Sequence, residues 1–191
     1  MITEKLNIRM DSVFSDDKKH RFLLRKTWGK TGKIATIIMI NPNISECLIT
    51  GMTENNVYNG IARFGDFAAV NIVNLYSLIT PKITFRWNND EDLYTSENDI
   101  EILKAVRDSD QTILAWGTIA DNNNRVKKRV LDVMTMLADY KDKLYFIRYG
   151  EKEGLHPLCP QLRSSLWELS KVNYDELIKE LENALKTGTK E

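Results

Sequence analysis

Buried-looking strand patterns alternate with amphipathic helix patterns along most of this chain, and that alternation restricts the fold more than any other feature. Ile34–Ile40 is nearly all apolar and rich in β-branched side chains, as a strand covered on both faces requires. "FAAVNIVN" at 67–74, "QTILAWG" at 111–117 and "KLYFIRYG" at 143–150 repeat the pattern. Between the first two, Val57, Ile61 and Phe64 mark one face of a helix over 53–64. Ser96 opens a second helix carrying Ile100, Leu103 and Val106, with Ser96 and Asp99 spaced like a capping pair. Val126, Val130, Met134 and Leu137 mark a third helix with a basic outer face, and Leu177, Leu181 and Leu185 a C-terminal one. Repeated strand–helix–strand units predict an α/β fold of three layers, α/β/α, around a central, mostly parallel sheet of four or five strands. "RFLLRKTW" at 21–28 reads as a further strand, pairing antiparallel at an edge or beside Ile34–Ile40.

A chain of 191 residues fits one domain with a substantial core, so 1–191 is read as a single unit. Residues 1–20 are polar and end in "SDDKKH", a flexible lead-in or an exposed hairpin turn, and 172–191 supply the C-terminal helix and tail. The 27 basic and 27 acidic residues cancel, which argues against a nonspecific coat on nucleic acid or an anionic membrane. The N-terminus has no apolar signal region and no membrane-length apolar run occurs, so a cytoplasmic protein without membrane contact is expected. The two cysteines, Cys47 and Cys159, give no disulfide framework. His156-x-x-Cys159 lacks a second pair of ligands, so neither a metal nor another cofactor is expected. Phosphate-loop, dinucleotide-binding and nucleophile-elbow motifs are missing. Asn88–Asp92 reads as a solvated charge run.

In an open parallel sheet the ligand crevice lies beyond the carboxyl ends of the strands. The residues that follow the four runs are Asn41-Pro42-Asn43, Asn74-Leu75-Tyr76-Ser77, Trp116-Gly117 and, one loop on, His156-Pro157. Each has a plain structural reading as well. Pro42 restricts Asn41 to an extended turn conformation, Asn74 can close its strand, and Trp116 has packing value in a core. His156 sits in a polar loop, where a core role does not fit. The basic clusters that include Arg25, Arg125, Lys128 and Arg163 are either solvated faces or contacts to a phosphate backbone.

"TIIMINPN", "VNIVNLYSLITPK", "ILAWGTIA" and "HPL" together resemble an uncharacterised bacterial and phage family with Asn-Pro-Ser, Asn-Leu-Phe/Tyr, Ala-Trp-Gly and His-Pro-Leu motifs. The chain departs from it at Asn43, where that family has Ser, and before Thr53, where its Asp-Pro is lacking. More remotely, the motif order is similar to the uracil-DNA glycosylase superfamily. That resemblance implies a glycosylase-like fold and hydrolysis of an N-glycosidic bond. Asn41 would orient the water, Asn74 would bond the base edge, and His156 would stabilise the departing base. Pro42 and Pro157 would shape the two loops, with Asn43, Tyr76 and Ser77 completing the pocket. The implied partner is DNA, a nucleotide or a nucleoside. A binding module without catalysis and a hydrolase of free nucleosides are the competing expectations.

Overall fold

The computed structural model describes residues 1–43, 48–81, 83, 89–163 and 165–187, so Cys47 and Asn88 lie outside the described residues. Its strands are β1 (Arg9–Phe14), β2 (Arg21–Thr27), β3 (Lys33–Met39), β4 (Phe67–Asn74), β5 (Gln111–Leu114), β6 (Leu144–Arg148) and β7 (Glu168–Lys171). Its helices are α1 (Met52–Ala62), α2 (Asp90–Leu93), α3 (Ser96–Arg107), α4 (Asn124–Met136) and α5 (Tyr174–Thr187). The strands form one mixed sheet in the order β1-β2-β4-β3-β5-β6-β7. The four apolar runs are its parallel centre, β4-β3-β5-β6, and β2, β1 and β7 add on antiparallel.

Side-chain alternation along β3 divides the apolar residues into two cores, one on each face of the sheet. Ile38 and Ile40 join Val73, Leu114 and the inner faces of α3, α4 and α5. Ala35, Ile37 and Met39 face the other way, onto Val57, Tyr58 and Ile61 of α1 and onto Trp167. The chain passes from β3 to β4 on one side and then crosses to β5 on the other, so the sheet has a topological switch beside β3.

The sheet is wider than the expected four or five strands. β1 lies inside the segment read as a flexible lead-in, and "SDDKKH" is the turn that joins it to β2, closed by Ser15 N–H donating to His20 O. β7 has only four residues and a half-exposed pattern, too short to show a periodicity. β2 pairs with β4 rather than with β3, because the parallel β5 already occupies the free edge of β3. The helix read from Ile100, Leu103 and Val106 is also rotated. Ile100 is 61% exposed, while Ile102, Ala105 and Val106 are buried with Asn98. Asn98 decides the rotation: its Nδ2 donates to Asn74 O at 3.1 Å and to Leu75 O at 3.3 Å. Ser96 opens this helix as expected, but the cap position falls to Thr95 rather than to Ser96, and the reciprocal cap belongs to α2, where Asn89 N–H donates to the Asp92 carboxylate.

Gly60 on α1 shows how tightly the second core is closed. A Cβ there would lie 2.5–2.6 Å from three atoms of the Trp167 ring, which is itself pinned by Nε1–H donating to Leu162 O. Helix propensity favours alanine over glycine by about 1 kcal/mol, but overpacking a closed core costs about 1–3 kcal/mol. Gly60→Ala therefore lowers stability in a denaturant titration. A gain would show that the ring is free to move aside.

Candidate functional site

β3 ends because Pro42 has no N–H to continue the ladder. Its last carbonyls are still engaged: Leu75 N–H donates to Met39 O, Tyr76 N–H to Ile40 O and Ala115 N–H to Ile38 O. The chain then leaves the sheet beside the topological switch, where a crevice of about 250 Å³ opens. Met39, Ile40, Asn41 and Asn43 come from the end of β3, and Thr53 and Glu54 from the first turn of α1. Thr80 and Pro81 come from the loop after β4, and His156 and Leu158 from the loop after β6. The volume sits just below the roughly 300–1,000 Å³ of drug-sized pockets, which suits a single base or sugar.

Asn41 has a fixed orientation. Its Nδ2 donates to Thr80 O at 2.9 Å and to Pro42 O at 3.1 Å. Two carbonyl partners assign the amide unambiguously, since an oxygen there would face oxygens. Oδ1 is left as an acceptor.

His156 has the opposite polarity. Leu158 N–H donates to its Nδ1 at 3.2 Å, so Nδ1 carries no proton and the neutral ring holds its proton on Nε2. Burial pushes the imidazole pKa below the ordinary histidine value, which keeps the ring neutral at pH 7. The loop is held from two sides. Asn56 Nδ2 on α1 donates to Pro157 O at 3.1 Å, and Gly117, with φ +68°, lies so close that a Cβ would sit 3.1 Å from His156 Cβ. Trp116 is buried in the core beside α4, and Gly117 supplies the close approach that seats the histidine.

A group that sequence reasoning missed completes the wall. Glu54 is 1% exposed and pairs with Arg21 Nη2 at 3.6 Å, and Arg21 is equally buried. Gly51 makes room for it, because a Cβ at that position would lie 2.7 Å from Glu54 Oε2 and 3.1 Å from Asn43 Nδ2. Glu54 lies within an exposed-looking "TENN", and nothing in its spacing signals that the first turn of α1 points inward.

A family model described as "Protein of unknown function (DUF1643)" matches residues 21–158, well over half of the chain. The chain belongs to the DUF1643 family. The DUF1643 segment begins at Arg21, includes every residue lining the crevice and ends at Leu158, while β1, β7 and α5 lie outside it. Neither the curated proteins nor the solved structures include a match to the chain.

Within this DUF1643 fold the anticipated site residues separate into groups. Asn41, Asn43 and His156 meet in the crevice, with Pro42 and Pro157 buried beside them. Asn74 is the register partner of Met39 and so faces the same side of the sheet. It is fully buried, and neither polar atom of its carboxamide has a protein partner among the described residues. Tyr76 and Ser77 do not join this group. The Tyr76 ring is buried in the opposite core against Tyr94, with its hydroxyl donating to Arg125 O, and Ser77 Oγ bonds His20 Nδ1 at 2.9 Å. Both turn away because the chain past Asn74 is fixed by its N–H groups donating to the carbonyls of Ile40 and Leu93 rather than by strand alternation.

None of the four anticipated backbone-contact cations lines the crevice. Arg25 lies mid-strand on β2, donating to Thr27 Oγ1, and Arg125 pairs with Asp90 at 2.6 Å. Lys128 is exposed on α4, while Arg163 reaches Leu158 O at 3.4 Å, beside the crevice loop. Among the described residues, no helix is long and apolar enough to cross a membrane and no group of three or more acidic, histidine or cysteine residues is placed to hold a metal ion.

Proposed function

We propose that the crevice hydrolyses the N-glycosidic bond of a nucleobase-bearing substrate, on a fold of the uracil-DNA glycosylase type. One observation carries this reading: a fixed acceptor, Asn41 Oδ1, and a fixed donor, His156 Nε2–H, share one base-sized crevice at the sheet's switch point. Breaking the bond between C1′ and the base nitrogen builds positive charge on the sugar and negative charge on the base. A water held by Asn41 Oδ1 adds its oxygen to C1′, and the electron pair of the broken bond leaves with the base. The departing base accepts a hydrogen bond from His156, and the surplus water proton passes to the base or to solvent. Pre-aimed dipoles of this kind stabilise charge where it develops. The Asn74 carboxamide has no protein partner among the described residues, but it lies outside the residues that line the crevice and carries no part of this reading.

Among the described residues, none that lines the crevice is a lysine or arginine, which favours a nucleoside- or nucleotide-sized substrate over a polymer gripped along its phosphates. The test is a base-release assay on nucleosides, nucleotides and single- and double-stranded DNA carrying modified bases. Wild-type protein releases base, and Asn41→Ala lowers the rate at least 100-fold while costing about 1–2 kcal/mol of stability through its two lost bonds to carbonyls. No release from any of these substrates by folded protein overturns the proposal.

A further inference from the structure

The crevice wall carries a charge that the hydrolysis itself does not explain. Glu54 and Arg21 are each only 1% exposed, and a buried ion pair is no more stabilising than well-packed apolar side chains of the same size. Yet its acidic member is one of the lining residues. Its position is also specific. Gly51, with φ −75°, has a backbone that any residue adopts, but a side chain there would displace the Glu54 carboxylate.

We infer that Glu54 selects a ligand that presents an amino group, so that the crevice accepts an amino-bearing nucleobase, of the cytosine or adenine kind, over an oxo-bearing one. The inference rests on reading the crevice as a base pocket, but not on its catalysing hydrolysis. The groups of fixed polarity decide it. Asn41 Oδ1 and the Glu54 carboxylate accept, and His156 Nε2–H donates. Cytosine offers an exocyclic N4–H₂ to a carboxylate and its O2 to the histidine. Adenine offers N6–H₂ together with ring-nitrogen acceptors. Carboxylates accept from the N4 amine of cytosine, and carboxamide oxygens from the N6 amine of adenine. Uracil and hypoxanthine place a carbonyl oxygen where the amine would be, so lone pairs would face a carboxylate in a site that excludes most water. A pocket built to bond a donor rejects an analogue lacking it far more strongly than a hydrophobic pocket rejects an extra group.

The experiment measures binding of free cytosine, adenine, uracil and hypoxanthine to the full chain at pH 7 by calorimetry or ligand-observed NMR. At least one amino base binds roughly tenfold or more tightly than its oxo counterpart, the scale of one well-made base contact. Gly51→Ala keeps both charges but pushes the carboxylate aside, and it shrinks that ratio. Glu54→Gln, which offers an acceptor and a donor alike, shrinks it further. Should Glu54→Gln fail to fold, the wild-type ranking and Gly51→Ala still decide. Equal or tighter binding of the oxo bases overturns the inference, as does a wild-type protein that binds none of the four. Amino-selective binding without base release would leave the inference standing and remove the proposed hydrolysis, so the two fail separately.

Discussion

His156→Ala lowers kcat for base release about 100- to 1,000-fold while KM changes little, the effect of removing one donor aimed at developing negative charge. The variant keeps Cβ, and with it the contact against Gly117, so the loop stays in place. What it loses is the Nε2–H donor and the acceptor for Leu158 N–H. Steady-state kinetics on the same substrate check the split; equal losses in kcat/KM through KM alone would assign His156 to binding. The pH dependence gives a second readout. Burial holds the folded-state pKa below the ordinary value of 6.5, so the neutral donor persists below pH 6.5 and the acid limb due to His156 falls on that side. Stability follows the same sign. As pH drops through 6.5 the unfolded chain takes up the proton first, so the neutral histidine's contribution, complete above 6.5, is lost as pH falls towards the folded-state pKa. His156→Ala flattens that part of the stability profile.

Arg129→Ala costs about 3 kcal/mol of unfolding free energy, read from urea or guanidinium titration. Arg129 is 4% exposed and ties three elements together. Its Nε donates to Leu75 O at 2.8 Å, just past the end of β4, its guanidinium clasps the Asp99 carboxylate on α3, and its Cζ lies 3.7 Å over the Tyr94 ring. Removing it leaves a buried carbonyl and a partly buried carboxylate without their partner. The figure sits at the low end for a broken buried pair because Asp99 remains 33% exposed. Arg129→Lys recovers only part of the loss, since an ammonium cannot span the carbonyl and the carboxylate with one planar fork. A loss below about 1 kcal/mol would show that the latch is solvated.

Arg129 also marks where reading along the chain stops working. By sequence it belongs to a basic run, Arg125 with Lys127, Lys128 and Arg129, on what looks like a solvated helix face. The apolar period of Val126, Val130 and Met134 places that helix correctly. It cannot show that a charged neighbour of the stripe is turned inward, because the inducement is a carbonyl and a carboxylate supplied from distant segments. The same holds for α3, whose rotation is set by Asn98 bonding the end of β4 rather than by its own leucines and isoleucines.

The sequence by itself determined the central strands, the helices between them and the convergence of Asn41 and His156 on one sheet edge. Each of those depends on local periodicity and on the rule that crevices open past the carboxyl ends of parallel strands. Only the tertiary structure decided the strand order, the added β1 and β7, the inward turn of Glu54 against Arg21, and the departure of Tyr76 and Ser77 from the crevice. The physical reason is common to all of these. An apolar stripe records what a segment buries, whereas a polar side chain is buried only when a partner from elsewhere in the chain meets it, and that partner has no fixed distance in sequence.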